Sequence, residues 1–284
     1  MEIFNIANFF VISKNLDTNN VKAIGWAINM VIDFHTHLGF NSSVDNATKL
    51  VASLRRASIN KALVFAGDDC STSKLLKEVE PFKSILMPIG SVSPLCDKKS
   101  ALCQIEEWLD SDSIHGLKFY PGYEYYYPFD EIVRPYLNLL QKYNKLAIFH
   151  SGDTHKLEKK AKLKFAHPLH LDDVAVEFPE LKIVIAHLGY PWVIDTAQVM
   201  SKNDNIYADC SGLLYDKPRS IDYALLKRIF SDFLEYGGKI EKVFFGSDWS
   251  VADQKAYLSF ISSLKISDHQ KKGIFYRNLA DLIL

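Results

Sequence analysis

The chain has 284 residues, 48% of them hydrophobic, and 33 Lys and Arg against 34 Asp and Glu give it a formal charge of −1. That balance offers no electrostatic ground for nucleic acid or a membrane surface, no apolar run reaches the ~20 residues of a membrane span, and a small-molecule partner is expected. Cys70, Cys96, Cys103 and Cys210 lack the close pairing of a zinc knuckle and the density of a disulfide scaffold, so reduced thiols in a cytoplasmic protein are expected.

Residues 1–29 carry an apolar patch over 4–12, but Asn5 and Asn8 interrupt it and no basic segment leads it, which argues against a signal peptide. This stretch reads as an N-terminal extension whose structure is open: a hairpin over the floor of the fold, a disordered leader, or an upstream addition to a start at Met30. From Met30 onward, short β-branched runs alternate with longer amphipathic stretches, the pattern of a parallel α/β protein. The strand candidates are 31–37, 62–65, 85–89, 116–119, 146–150, 183–187, 206–209 and 243–246. Helix candidates are 47–57, 100–109, 132–142, 172–178, 194–202, 221–236 and 254–264. Eight strands, most followed by a helix, predict a single (β/α)8 barrel over residues 30–284. A doubly wound open sheet is the competitor, weakened because no strand is followed by a glycine-rich phosphate fingerprint. No Pro-, Gly- or Ser-rich linker divides the chain, and nothing in it decides whether the protein forms homo-oligomers.

In such a barrel the active site gathers at the C-terminal ends of the strands. The first strand ends in Ile-Asp-Phe-His-Thr-His, and a period of two puts Asp33, His35 and His37 on one side. His150 closes the fifth strand, His187 the sixth, and Asp248 follows the eighth in Phe-Gly-Ser-Asp-Trp. One buried histidine is ordinarily a satisfied core residue. Histidines repeated at the same end of three strands, with a carboxylate at the end of a fourth, are not explained that way.

These residues, with Gly-Leu-Lys-Phe-Tyr-Pro at 116–121, Phe-Pro-Glu-Leu-Lys-Ile-Val-Ile-Ala-His-Leu-Gly at 178–189, Tyr-Ala-Asp-Cys-Ser-Gly at 207–212 and Arg-Asn-Leu-Ala at 277–280, resemble the metal-dependent amidohydrolase superfamily, in the branch called amidohydrolase family 2. The resemblance implies that His35, His37, His150 and Asp248 hold one divalent metal and that His187 assists beside it. Three imidazoles and a carboxylate suit zinc first and leave manganese, iron or cobalt open. A metal lowers the pKa of a water in its open position, Asp248 can take that water's proton, and His187 can stabilise charge on the substrate oxygen. Hydrolysis of an amide, ester or lactone is the leading expectation. Nonoxidative decarboxylation of an aromatic or enoate acid, which the branch also contains, is the alternative. A binding or regulatory barrel that keeps the metal without turnover is a third reading.

Lys118 is expected to face the site as a substrate-binding cation or in a structural ion pair, with a carbamylated, metal-bridging lysine as the rarer alternative. The loop Tyr120-Pro-Gly-Tyr-Glu-Tyr-Tyr-Tyr127 is read as either a packed connection or pocket lining. Tyr120, Trp192 and Trp249 are candidate substrate contacts at the barrel mouth. Asp68, Asp69, Asp153 and Asp209 are assigned to helix capping, and His115, His155, His167, His170 and His269 to solvated or structural positions, His155 being the nearest to the expected pocket.

Overall fold

Eight parallel strands follow one another around one sheet in chain order: β1 (Ile32–Leu38), β2 (Lys61–Ala66), β3 (Leu86–Ser91), β4 (Gly116–Phe119), β5 (Leu146–Phe149), β6 (Lys182–Ile185), β7 (Ile206–Asp209) and β8 (Val243–Phe244). The computed structural model describes residues 30–39, 46–67, 71–96, 98–155, 158–214 and 220–283. Residues 1–29, Cys70 and the Asp68–Asp69 pair lie outside them. The helices are α1 (Ala47–Ala57), α2 (Thr72–Val79), α3 (Lys98–Asp110), α4 (Arg134–Lys142), α5 (His170–Glu177), α6 (Val193–Lys202), α7 (Ser220–Glu235), α8 (Gln254–Ser263), α9 (Asp268–Lys272) and α10 (Asn278–Ile283). The fold is a (β/α)8 TIM-type barrel. Among the described residues, no helix is long and apolar enough to cross a membrane.

Strand alternation sorts the apolar residues into two layers. Ile32, Phe34, Leu63, Phe65, Met87, Ile89, Leu146, Ile148, Val184 and Phe244 fill the barrel interior. Their neighbours Ala62, Val64, Leu117, Phe119, Ala147, Phe149, Ile183 and Ile185 pack under the helices. Because Leu117 and Phe119 face outward, Lys118 between them points into the barrel. Each helix turns an apolar stripe to the sheet; in α1 the buried residues are Ala47, Leu50, Val51, Leu54 and Ala57, and Asn46 caps the helix by accepting from the Lys49 N–H at 3.0 Å.

The ring closes where β1 meets the segment after β8. Phe34 N–H donates to Phe245 O (2.8 Å), Asp248 N–H to His35 O (2.8 Å) and His37 N–H to Trp249 O (2.7 Å). The floor is covered by α10, whose Leu279 and Leu282 join the interior cluster. Lys182, at the start of β6, donates to Leu282 O at 2.8 Å, and Asn278 donates to the Ile240 and Val243 carbonyls.

Several boundaries move. The eighth strand is only Val243–Phe244. The sixth stops at Ile185, so His187 sits in the 3-10 turn Ala186–Gly189, where His187 and Leu188 adopt left-handed backbone angles (φ 59° and 50°). Helix α2 stands between the second and third strands, where no helix was expected, with Leu75 and Val79 buried. The chain also continues past α8 through α9, a π-helical stretch Gly273–Arg277 and α10.

Candidate metal centre

His35 and His37 bring their Nε2 atoms to 3.1 Å. The common side that alternation predicts does not extend to Asp33. The β1–β2 register slips between Asp33 and Thr36, and the buried Asp33 carboxylate accepts instead from Ser247 N–H (2.9 Å), Ser247 Oγ (2.6 Å) and Gln254 Nε2 (2.8 Å). Such a bulge re-aims side chains along a strand. Burial pushes the Asp33 carboxyl up to about 6, against these donors. Its effect is to grip the residue just before Asp248.

Asp248 Oδ1 lies 3.3 Å from His37 Nε2 and 3.8 Å from His35 Nε2. Its backbone is left-handed (φ 67°), a conformation uncommon outside glycine that recurs at functional positions. Burial opposes ionisation of Asp248, but the hydrogen bond with His37 and the adjacent His35 and His187 overcome it and hold the carboxyl well below the usual range. For His35, burial is the largest influence and Lys118 adds to it, bringing the imidazole down to about 3 and leaving it neutral. The three atoms therefore present two ring nitrogens and an anionic oxygen to one point. Their separations bracket the ~3.3 Å edge of a tetrahedron built on zinc–nitrogen bonds of about 2.0–2.1 Å. The donor set fits a divalent metal.

The ring of His187 stands 4.8 Å from that of His35, and His150 lies one ring further out, 5.2 Å from His187 and outside the close-set His35–His37–Asp248 cluster. His150 Nε2 lies 3.0 Å from the Asp153 carbonyl. A carbonyl only accepts, so that nitrogen carries the hydrogen and Nδ1 is left as the donor to a metal. Burial holds both His150 and His187 below the ordinary imidazole range. Lys118 is buried (1% exposed), with Nζ 3.5 Å from His35 Nε2, between the rings of Phe65 and Tyr120. Burial lowers its amine to about 8. Among the described residues no carboxylate lies within ion-pair distance of it.

The aromatic loop after β4 divides its roles. Tyr123 sets its ring 4.8 Å from His150, and Tyr120 donates its hydroxyl to Ala66 O at 3.1 Å. Tyr126 is buried, and Tyr125 and Tyr127 pack on Phe165. Trp249 takes part in ring closure through its carbonyl, whereas Trp192 packs on His167 at 4.5 Å. His155 is exposed and gives its backbone N–H to Tyr123 Oη (2.8 Å).

Asp209 overturns the capping assignment. It is fully buried at the end of β7, 2.9 Å from His35 Nδ1 through Oδ2, and receives the Ser211 N–H at 2.9 Å through Oδ1. Burial opposes its ionisation, and the contact with His35 overcomes this, so the carboxyl stays well below its usual range. The available signal was its position, since a carboxylate at the C-terminal end of a barrel strand belongs with the other site residues. Asp153 is exposed and accepts the Thr154 N–H at 2.8 Å, but among the described residues no helix begins there, so this is a local loop contact and not the expected cap.

A barrel with a His–His–Asp cluster at its mouth, both histidines buried, defines a class, and comparison with known proteins names it. The sequence profile of the amidohydrolase family (Amidohydro_2) matches residues 85–282. The chain belongs to the amidohydrolase family. The match takes in Lys118, His150, His187, Asp209 and Asp248, while His35 and His37 precede it. No curated protein matches the sequence. Among solved structures, the chain is similar to an uncharacterised TIM-barrel protein of Bordetella bronchiseptica (TM-score 0.70, 18% identity, covering 89% of this chain and 98% of that one). It is also similar to a probable 2-pyrone-4,6-dicarboxylic acid hydrolase of Acinetobacter baumannii (TM-score 0.68, 14% identity, 89% and 98% covered). A third is a dihydroxybenzoic acid decarboxylase of Polaromonas with bound manganese (TM-score 0.67, 13% identity, 89% and 96% covered). At these identities the likeness is one of fold.

Proposed function

We propose that this chain is a metal-dependent hydrolase of small molecules carrying an amide, ester or lactone. The observation that carries the reading is the approach of His35 Nε2, His37 Nε2 and Asp248 Oδ1 to within 3.1–3.8 Å of one another. His35, His37 and Asp248, joined by His150 through Nδ1, would hold one divalent ion. Zinc is the ion we assign; manganese, found in the Polaromonas structure, is the alternative. The ion supplies Lewis acidity towards a water or a substrate oxygen. Asp248, ionised and still 15% exposed, accepts the proton of the attacking water and returns it to the leaving group. His187 stabilises charge developing on the substrate oxygen. Lys118, a buried cation without a carboxylate partner among the described residues, receives an anionic group of the substrate and orients it.

That same cation favours a second reading, nonoxidative decarboxylation. There Lys118 holds the carboxylate, the carbon–carbon bond breaks to release carbon dioxide, and the ring carbon takes up a proton. Of the three neighbours named above, the probable 2-pyrone-4,6-dicarboxylic acid hydrolase supports the first reading and the dihydroxybenzoic acid decarboxylase the second. Three free cysteines among the described residues agree with a reducing cytoplasm, which is where we place the enzyme.

The test is a panel of lactones, esters, amides and aromatic carboxylic acids offered to the zinc- and manganese-loaded protein, with acid release and carbon dioxide release followed separately. Acid release that the His35→Ala, His37→Ala double variant loses is the expected result. Carbon dioxide release selects the second reading, and a fully loaded protein inert to the whole panel would select a metal-binding barrel without turnover.

A further inference from the structure

The Asp209 carboxylate touches two histidines by different routes. Through Oδ2 it lies 2.9 Å from His35 Nδ1. A carboxylate has no hydrogen to give, so Nδ1 carries it, and the neutral ring is left with a lone pair on Nε2. That is the nitrogen lying 3.1 Å from His37 Nε2. Through Oδ1, Asp209 accepts the Ser211 N–H (2.9 Å), the Ser211 hydroxyl and, more weakly, the His187 N–H (3.3 Å). The Ser211 hydroxyl spends its single hydrogen on Asp209, so towards His187 Nδ1, 2.9 Å away, it only accepts. The Ser211 carbonyl, 3.2 Å from the same nitrogen, also only accepts. His187 must therefore carry its hydrogen on Nδ1 and keep Nε2 bare.

We propose that Asp209 is a positioning residue which, directly at His35 and through Ser211 at His187, selects the Nδ1–H tautomer of both rings and so leaves both Nε2 atoms as bare lone pairs, that of His35 within the His35–His37–Asp248 cluster. For what it says about the metal, the inference rests on the function proposed above. Outer partners of metal-bound histidines commonly act this way, and losing one typically costs about 10–100-fold in metal affinity.

The chemistry of an asparagine at this position makes the proposal testable. Asp209→Asn keeps the shape but leaves one accepting oxygen. The backbone N–H groups of Ser211 and His187 meet Oδ1 and cannot change their role, so the oxygen stays there and the NH2 group faces His35. His35 Nδ1 must then accept, its hydrogen moves to Nε2, and an N–H points at His37 and Asp248. An Asp→Asn exchange behind a catalytic histidine inverts its tautomer in this way.

Long-range 1H–15N spectra of the full-length, histidine-labelled protein read the tautomer of each ring. After dialysis against a chelator, the parent should show His35 and His187 as Nδ1–H, and Asp209→Asn should show His35 as Nε2–H. Zinc affinity, measured by competition with a chromophoric chelator, should fall about 10–100-fold in Asp209→Asn and stay within about threefold of the parent in Ser211→Ala, which leaves the His35 contact intact. If Asp209→Asn does not fold, the parent spectrum decides alone. If the chain unfolds without metal, the zinc-loaded parent still reports His187, which is not among the ligands. An Nε2–H form of His35 or His187 in the parent, or unchanged zinc affinity in a folded Asp209→Asn, would overturn the proposal. Nδ1–H tautomers in a chain that takes up no metal would leave it standing and defeat the proposed function.

Discussion

Asp248 keeps 15% of its side-chain surface exposed while His35 keeps none, so a substrate meets the cluster on the aspartate's side. Asp248→Asn preserves the shape and removes both the anionic donor and the proton acceptor. Turnover on whichever substrate the panel finds should fall at least about a hundredfold, the usual worth of a positioned acid or base, with the melting temperature little changed. A rate within tenfold of the parent would refute the dual role. Gly212 offers a second test. Its φ is +70°, and a methyl group there would stand 2.6 Å from His187 Nδ1 and 3.3 Å from Asp248 Oδ2. Gly212→Ala should therefore displace His187 and cost about 1–3 kcal/mol from the backbone conformation alone. Thermal unfolding and the His187 resonance would check this; a variant with unaltered stability and His187 signal would contradict it. The histidine pair was legible in the sequence because two imidazoles two residues apart on a strand share a face. Asp33 and Asp209 were not: strand alternation groups Asp33 with the histidines, Asp209 at the start of a loop has the sequence signature of a cap, and the third dimension brings Ser247 and Gln254 to the first and His35 to the second.

At the scale of elements, the strands were readable because β-branched runs buried on both faces need no partner to be recognised. The misses have physical causes. The apolar run Ile-Val-Ile-Ala continues into the turn after β6, which hides the point where the backbone at His187 becomes left-handed. Helix α2 is eight residues long, with Thr72, Leu75 and Val79 as its buried face, too little periodicity to stand out. The end of the chain carries no continuous helical period because Gly273 and a π-helical stretch break the pattern between α9 and α10. Yet α10 covers the barrel floor, with Leu279 and Leu282 in the interior cluster. Leu279 is 2% exposed and touches the interior cluster, so Leu279→Ala should cost about 2–5 kcal/mol as a buried truncation. At about 2–4 °C per kcal/mol for a large domain, the melting temperature should drop by roughly 5–20 °C. A change below about 2 °C would show that α10 is not part of the core.

Across the whole molecule, closing the barrel and assembling the site are one event. The backbone bonds that join β1 to the segment after β8 run through His35, His37 and Asp248. Asp33 reinforces that seam from the β1 side by holding Ser247. A ligand bound at the seam stabilises the closed ring over the unfolded chain, since only the folded state brings the donors together. The most direct measurement is therefore the metal content of purified protein by elemental analysis, made on the parent and on the His35→Ala, His37→Ala double variant. About one divalent ion per chain is expected in the parent and near none in the variant, as befits three nitrogens and one oxygen serving a single ion. Near-stoichiometric metal retained in the double variant, or a parent that takes up none when zinc or manganese is supplied, would contradict it.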